Sequence, residues 1–204
     1  MDETRKHWDE VYRSNAEAEV SWFQEHPERS LAMIEAMAHE RSTSIIDVGG
    51  GASRIVDELL IAGYVDVTVL DVSEAALGRS KTRLGPRAAN VKWIVADIAN
   101  WSPDRTWGVW HDRAVFHFLT DATSQKAYIE ALERATAPGA AVIIATFALD
   151  GPERCSGLPV QRYSPDTLAA RLGPRFHLVG QQVETHLTPK GAQQRFQFSL
   201  LKRA

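Results

Sequence analysis

Three aspartates stand where successive apolar runs end, and carboxylates in such positions bind polar groups of a ligand. The first run, TSIIDV, contains Asp47 and leads into the glycines at 49–51. The second, DVTVLD, ends at Asp71, and the third, VKWIVA, is followed by Asp97. In a doubly wound parallel sheet, ligands bind at the carboxyl ends of the strands. The spacing therefore predicts that the three acids meet one elongated ligand.

The glycine turn after Asp47 favours a ligand that carries both a cation and an anion. Glycines let a ligand approach the backbone, and a helix N-terminus offers N–H groups to an anion. Gly49 and Gly51 match the dinucleotide pattern G-x-G-x-x-G, but Arg54 replaces its third glycine. An acid in the turn repels a pyrophosphate and attracts an ammonium group. S-adenosylmethionine therefore fits better than NAD, although a plain strand–helix turn is an alternative.

Asp71 and Asp97 suit the remaining parts of such a nucleotide. An acid at the end of the second strand accepts hydrogen bonds from both ribose hydroxyls, in NAD and in S-adenosylmethionine alike. Asp97, preceded by the small Ala96, is placed to accept from an adenine amine, and Val72 and Ile98 are apolar enough to contact the ring. For Asp71, capping of the following helix is the alternative.

Alternating strand and helix patterns predict an α/β fold, a Rossmann-like doubly wound sheet with helices on both faces. Two long strands near the C-terminus, separated by a Pro-Lys-Gly turn signal, predict an antiparallel pair at one sheet edge. We divide the single domain into a helical cap (1–40), a cofactor-binding core (43–147), a substrate loop (148–163) and a C-terminal helix with the strand pair (164–204).

Composition excludes several classes of function. A chain of 204 residues suits one domain, and a net charge of -3 gives no basic footprint for nucleic acid. The single cysteine, Cys155, excludes an intramolecular disulfide and a multi-cysteine zinc site, and no metal is expected. The N-terminus lacks an apolar signal region, and the longest apolar run is too short to cross a bilayer. A cytoplasmic protein without a membrane partner is expected.

The motif set resembles the class I S-adenosylmethionine-dependent methyltransferases. DVGGG at 47–51 matches that family's E/D-x-G-x-G motif, VTVLDVS at 67–73 its second motif and VADI at 95–98 its third. HDRAVFHFL at 111–119 resembles the segment under the methionine part of the cofactor. PGAAVIIATF at 138–147 resembles the P-G-G turn and fifth strand, with alanine for the second glycine. The resemblance implies seven strands with an antiparallel last strand, and S-adenosylhomocysteine as product.

An N-terminal segment resembles one bacterial branch of this family, whose substrates are unassigned. It has W-D-x-x-Y at Trp8–Tyr12, followed by Trp22. The resemblance implies that this segment caps the site, where ring faces attract a sulfonium; a covering helix pinned by its aromatics is the alternative. The residues predicted to bind the cofactor are Trp8, Tyr12, Trp22, Asp47, Gly49, Gly50, Gly51, Ser53, Asp71, Val72, Ala96, Asp97, Ile98, His111, Asp112 and Arg113.

Catalytic and acceptor-binding residues are harder to assign, because displacement at a sulfonium needs mainly alignment. His117 and His111 are the candidates for a general base, since imidazole titrates near neutral pH. Packed structural histidines are the alternative. Arg154, Cys155 and Arg162 follow the fifth strand, where the family commonly recognises its substrate; ordinary loop residues are the alternative.

The acceptor is expected to be a small molecule, because the chain is compact and has no added recognition domain. A protein lysine comes second, on resemblance alone, and nucleic acid last. Two other functions compete with methyl transfer. An NAD(P)-dependent oxidoreductase is disfavoured by Arg54, and a non-catalytic cofactor-binding module is disfavoured by the three intact acids.

Overall fold

Seven strands form one sheet in the order β3-β2-β1-β4-β5-β9-β8 in the computed structural model, which describes residues 3–204. The strands are β1 (Ile45–Val48), β2 (Val67–Asp71), β3 (Val91–Val95), β4 (Trp107–Arg113), β5 (Thr136–Phe147), β6 (Arg154–Cys155), β7 (Leu158–Pro159), β8 (Phe176–Leu187) and β9 (Gln193–Arg203). The helices are α1 (Glu3–Ser14), α2 (Glu28–Met37), α3 (Ile55–Ile61), α4 (Glu74–Leu84), α5 (Ala122–Ala135) and α6 (Pro165–Leu172).

Strand direction confirms the predicted fold. Strands β1 to β5 run parallel. Strand β9 runs antiparallel to both of its neighbours, β5 and β8, so the last strand is the reversed one. The predicted turn between β8 and β9 closes with Gly191 at φ +82° and its N–H donating to the Thr188 carbonyl at 2.8 Å.

Side chains alternate between two cores, one on each face of the sheet. Ile45 packs into the core that also contains residues of α2, α3 and α4, whereas Ile46 packs into the core formed with α5 and α6. All residues of β1 and β2 are buried, as central parallel strands require. None of the helices between residues 3 and 204 has the length and apolarity to cross a membrane.

Local boundaries differ from the sequence expectation in two places. The apolar pattern after the glycine turn predicts a helix over 53–62 with Ser53 as its N-cap residue. The helix instead begins at Ile55, because the Ser53 N–H first closes a turn on the Gly50 carbonyl at 2.7 Å. Ser53 is therefore not its N-cap residue, although its hydroxyl accepts from Ile55 N at 3.2 Å. The predicted substrate loop also contains a two-stranded hairpin, β6–β7, which returns the chain toward the main sheet.

Candidate active site

Two adjoining cavities lie at the carboxyl ends of β1 to β4. We call them the main cavity and the glycine-turn cavity, and they share Tyr12, Trp22, Gly49 and Arg113. The main cavity is lined by predicted cofactor residues following β2 and β3, which are Asp71, Val72, Ala96, Asp97 and Ile98, and on its other side by Phe118, Cys155 and Phe196. The glycine-turn cavity is lined by Asp47, Gly50, Ser53, Arg54 and His111.

Asp47 presents an unpaired carboxylate oxygen to the glycine turn. The residue is 2% exposed, and its Oδ1 lies 2.7 Å from His111 Nδ1. His111 Nε2 lies 2.9 Å from the Ser30 hydroxyl, so both ring nitrogens have partners and the imidazole fixes the carboxylate. Asp47 Oδ2 is buried and receives no hydrogen bond from any described residue. A buried, unpaired carboxylate oxygen is a place for a donor from a ligand, such as an ammonium group.

The glycine turn has this shape because side chains do not fit in it. Gly49 has φ +69°, and a Cβ there would lie 2.0 Å from Val115 Cγ2. Gly51 has φ +31°, and its Cβ would lie 2.7 Å from Asp71 Oδ2. Gly51 lines neither cavity. Its contribution is the room that it leaves for the Asp71 carboxylate.

Asp71 is a buried carboxylate on the wall of the main cavity. Its Oδ1 accepts from Ser73 N at 2.7 Å, whereas the cap of α4 is the Ser73 hydroxyl, which accepts from Ala76 N. Burial raises the pKa of Asp71 to about 7, and the nearby charge of Asp47 acts in the same direction.

Asp97 is more tightly engaged by its own turn. Its Oδ1 accepts from Ala99 N at 2.9 Å, and its Oδ2 accepts from Asn100 Nδ2 at 2.9 Å. It nevertheless lines the main cavity together with Ala96 and Ile98. The three acids therefore follow three neighbouring strands, as their spacing predicted.

Helix α1 and the segment up to residue 24 close over these cavities, and we call them the cap. Trp8 and Tyr12 both pack edge-on or tilted against Trp22, with ring centroids 5.7 and 6.0 Å away, and Trp8 contacts Phe118 at 5.1 Å. All three predicted cap aromatics line the main cavity. Burial raises the pKa of the Tyr12 phenol well above its ordinary value, so its hydroxyl stays protonated.

Asp9 is a contact residue of the site that the sequence reasoning missed. Its Oδ1 accepts from the Ser73 hydroxyl at 2.7 Å and from Ala75 N at 3.2 Å, and Arg5 Nε donates to the Val72 carbonyl at 3.1 Å. These contacts join the cap to the loop that carries Asp71. The acid of the W-D-x-x-Y motif, adjacent to the predicted aromatics Trp8 and Tyr12, was the sequence feature that could have identified it.

Arg113 extends from the end of β4 under the cap. Its Nη1 donates to the Trp22 carbonyl at 3.2 Å, and its guanidinium carbon lies 4.4 Å from the centre of the Phe196 ring. Burial lowers the pKa of Arg113 to about 10, which leaves the group charged at neutral pH. Nε and Nη2 are buried and have no hydrogen-bond partner among the described residues.

Asp112 is the first of two predicted residues whose side chains lie outside both cavities. Asp112 projects to the opposite face of the sheet from its neighbours in β4, where it accepts from Val115 N at 2.8 Å, Phe116 N at 3.1 Å and the Tyr128 hydroxyl at 2.6 Å. Burial raises the pKa of Asp112 to about 6. Its carboxyl fixes the turn after β4 and does not reach the cavity, contrary to expectation.

His117, the first candidate for a general base, is fully buried outside both cavities. Its Nδ1 accepts from Phe147 N at 3.4 Å, and its ring packs on Phe118 and Phe147. Burial lowers the pKa of His117 to about 3, so the ring stays neutral at physiological pH. The structure thus gives His117 the packing role that the sequence left as the alternative.

Of the three predicted acceptor residues, the structure brings only Cys155 to the main cavity. It is 5% exposed, and burial raises the pKa of its thiol to about 11. Arg154 and Arg162 donate to the carbonyls of Gly157 and Gly151, and neither lines the main or the glycine-turn cavity. Both arginines stabilise the loop itself.

Comparison with known proteins agrees with the fold. The family model described as a methyltransferase domain matches residues 45–139. The N-methyltransferase NodS from Bradyrhizobium japonicum WM9, solved with S-adenosylhomocysteine, is 17% identical with a TM-score of 0.73, over 99% of both chains. A methyltransferase from Anabaena variabilis ATCC 29413 is 13% identical with a TM-score of 0.75, over 100% of this chain and 96% of that one.

A third similar structure contains an acceptor as well. It is the 1,6-didemethyltoxoflavin-N1-methyltransferase from Burkholderia thailandensis, with bound 1,6-didemethyltoxoflavin and S-adenosylhomocysteine. It is 17% identical with a TM-score of 0.68, over 98% of this chain and 84% of that one.

Proposed function

We propose that this chain is a class I S-adenosylmethionine-dependent methyltransferase, supported by the methyltransferase-domain match over residues 45–139, and that its two cavities hold the cofactor for in-line methyl transfer to a small-molecule acceptor. When bound, S-adenosylmethionine supplies a methyl group already activated on a sulfonium. The bond from methyl to sulfur breaks with its electron pair going to sulfur, and a lone pair of the acceptor forms the new bond. The protein's part is therefore to bind, align and exclude water.

The unpaired Asp47 Oδ2 is the observation that carries this proposal. It lies at the glycine turn, where His111 orients the carboxylate and Gly50 packs directly against it, so that a Cβ there would lie 2.3 Å from Oδ2. An ammonium group donates to such an oxygen with a charge-assisted hydrogen bond. A pyrophosphate placed there would bring its negative charge against Asp47, which supports S-adenosylmethionine over NAD(P).

Asp71 and Asp97 receive the adenosine end in this proposal. The Asp71 carboxylate, whose Oδ1 accepts from Ser73 N, lies on the wall of the main cavity and takes hydrogen bonds from the ribose hydroxyls. Asp97 accepts from the adenine amine, and Val72 and Ile98 contact the ring across the main cavity. Since Asp97 is already engaged by two donors of its own turn, it contributes less than Asp71.

The cap supports a small acceptor rather than a protein side chain. Trp8, Tyr12 and Trp22 line the main cavity together with Phe118 and Cys155, so an acceptor there lies against the cap. The similar Burkholderia enzyme is named for a small acceptor. Within residues 3–204 no histidine lines the main cavity, so we propose a nucleophile that needs no protein base. We place the reaction in the cytoplasm, consistent with the single unpaired cysteine.

Titration calorimetry with S-adenosylhomocysteine and with NAD tests the proposal. We expect S-adenosylhomocysteine to bind and NAD to bind far more weakly. Asp47→Asn should weaken the binding of S-adenosylhomocysteine at least roughly tenfold, because the substitution removes a charged hydrogen-bond partner. Asp66→Asn is the matched control, since that carboxylate pairs with Arg105 at the other end of β2. Tighter binding of NAD, or an unchanged Asp47→Asn variant, would contradict the proposal.

A further inference from the structure

Arg113 offers one complete edge of its guanidinium group to a ligand. Its Nε and Nη2 have no hydrogen-bond acceptor among the described residues, whereas Nη1 is used by the Trp22 carbonyl. Nε–H and the neighbouring Nη2–H point the same way and form the fork that binds a carboxylate with two parallel hydrogen bonds. The side chain is only 11% exposed, so water is a poor substitute for such a partner.

Glu184 does not satisfy this edge. Its Oε2 lies 3.8 Å from Arg113 Nη2, which is too far for a hydrogen bond. Its two carboxylate oxygens instead accept from Gln24 Nε2 at 3.3 Å. The ion pair compensates part of the buried charge, but the two N–H groups stay unpaired. Native structures rarely leave buried charged donors unpaired without a functional reason.

The guanidinium group lies where the two cavities meet, since Arg113 lines both of them. Its carbon is 4.4 Å from the centre of the Phe196 ring, and Phe196 lines the main cavity but not the glycine-turn cavity that contains Asp47. This contact favours a partner in the main cavity. The carboxylate of the cofactor, which shares a carbon atom with the ammonium group at Asp47, is the competing partner, and the affinity for S-adenosylhomocysteine distinguishes the two.

We propose that Arg113 binds an acidic group of the methyl acceptor, which is a small organic acid. The inference rests on the proposed function. The carboxylate of the acceptor takes the free edge of Arg113, and its apolar body packs against Phe118, Phe196 and Trp22 in the main cavity. The methyl group goes to a different atom of the acceptor, so the acid serves for recognition and alignment. The Trp22 carbonyl of the cap accepts from Nη1 and thereby fixes the orientation of the guanidinium group.

Charge selectivity in the protein saturated with S-adenosylhomocysteine tests this assignment. The probes are benzoate and its neutral isostere benzamide, titrated by calorimetry or ligand-observed NMR. We expect benzoate to bind at least roughly tenfold more tightly than benzamide. Arg113→Gln should remove this preference, and Arg113→Lys should keep part of it because it retains the charge without the fork. S-adenosylhomocysteine should bind both variants within about threefold of the parent.

Two further variants control for general charge effects. Arg195→Gln removes an exposed arginine on the same strand as Phe196, one that pairs with Asp150, and should leave the preference unchanged. Glu184→Gln removes the negative charge nearest the fork and should strengthen benzoate binding. A thermal melt on each variant checks that it is folded.

Three results would overturn the assignment. The first is no benzoate binding by the parent up to about 10 mM, the weak range for so small a ligand. The second is equal binding of benzamide. The third is an Arg113→Gln variant that keeps the preference, or that loses S-adenosylhomocysteine affinity instead, which would place the guanidinium on the cofactor carboxylate. Failure of the parent to bind S-adenosylhomocysteine would count against the proposed function, and a separate titration with S-adenosylhomocysteine alone measures it.

Discussion

The two sides of the cleft are built in different ways. At the ends of β2 and β3, polar groups are fixed by neighbours in the chain: Asp71 accepts from Ser73 and Asp97 from Ala99, each two residues away. On the β4–β9 side, the contacts join distant segments. Arg113 and Trp22 are separated by 91 residues, and Gln24 and Glu184 by 160. The ends of β2 and β3 are therefore a local property of the chain, whereas Asp47, which His111 orients from 64 residues away, and the proposed acceptor side depend on distant segments.

The two sides also leave opposite charges unpaired. Asp47 Oδ2 is the unpaired acceptor at the glycine turn, and the Arg113 fork is the unpaired donor pair beyond β4. Each is oriented by a partner on its other atoms, His111 in one case and the Trp22 carbonyl in the other. In the proposed complex, the ammonium group at Asp47 and the acid at Arg113 therefore differ in sign as well as in place. Variants that affect one side alone should separate cofactor binding from acceptor recognition.

Gly50→Ala is expected to have the largest effect, and on the cofactor side alone. A Cβ at this position would lie 2.3 Å from Asp47 Oδ2 and 2.8 Å from Val69 Cγ1, so the carboxylate must move. Loss of a charge-assisted pair in a buried site costs about 3 kcal/mol, or roughly a hundredfold in affinity for S-adenosylhomocysteine. Calorimetry measures it. Gly78→Ala in α4 is the control, because its Cβ would meet no atom within 4 Å and affinity should not change.

The second prediction compares two acids on the same side. Asp71→Ala should weaken the binding of S-adenosylhomocysteine more than Asp97→Ala does. In the proposal Asp71 accepts hydrogen bonds from two ribose hydroxyls, whereas Asp97 accepts from one amine. The structure adds that both Asp97 oxygens already have donors from the same turn. We expect roughly tenfold to hundredfold for Asp71 and less than about tenfold for Asp97. Equal or reversed losses would show that ribose and adenine are assigned to the wrong acids.

The fold and the cofactor side were predictable because their signals are local. Apolar runs, glycine turns and the acid near the end of each run predicted a doubly wound sheet, and the observed strand order places Asp47, Asp71 and Asp97 along one edge. The sheet edge with its reversed strand followed from two long β patterns and a turn. Each of these features depends on residues close together in the sequence.

The acceptor side was predictable only in part. Residues 111–113 alternate between the faces of β4, which separates Asp112 from His111 and Arg113, but periodicity alone did not say which face contains the cavity. His117 is at a turn of 3₁₀-helix whose orientation is fixed by Phe147, 30 residues later. Asp9 was missed because its partners, Ser73 and Ala75, belong to a different helix. These placements depend on tertiary contacts that no local pattern contains.

The pH dependence of cofactor affinity sharpens the comparison further. The pKa of Asp71 in the empty protein is about 7, raised by burial and by the charge of Asp47. Ribose hydroxyls donate to the ionised carboxylate, so proton binding competes with the cofactor. Affinity for S-adenosylhomocysteine should therefore rise roughly tenfold from about pH 6 to pH 8 as the ionised fraction increases. Asp71→Asn should flatten this dependence. A flat profile in the parent would show that Asp71 does not contact the ligand.

The cap is expected to affect both sides moderately through Asp9. Asp9→Ala removes the acceptor of Ser73 Oγ and Ala75 N, so helix α1 is less firmly joined to the loop that carries Asp71. We expect roughly a threefold to tenfold loss of affinity for S-adenosylhomocysteine, with faster dissociation. Arg13→Ala is the control, because that exposed side chain reaches Asp9 only at 3.8 Å. Stopped-flow displacement measures the rate. If Asp9→Ala matched Arg13→Ala, the cap would not restrain the cofactor.

The smallest effect on cofactor affinity is expected for a substitution at His117. This measurement decides whether the imidazole of His117 belongs to the acceptor side. His117→Asn retains an acceptor for Phe147 N but loses ring contacts with Phe118 and Phe147. The expected cost is about 1–2 kcal/mol of stability, seen as a lower Tm. Because the pKa of His117 is about 3, the ring does not titrate between about pH 5 and pH 9, and it lines neither cavity. Affinity for S-adenosylhomocysteine and its pH profile should therefore stay within about twofold of the parent. His111→Ala, in contrast, frees the Asp47 carboxylate and should weaken the binding of S-adenosylhomocysteine.

The pH profile of turnover, measured once an acceptor is identified, is the contrary test for His117. If His117→Asn shifted that profile, the imidazole would lie at the reacting atoms and would again be the candidate for the general base.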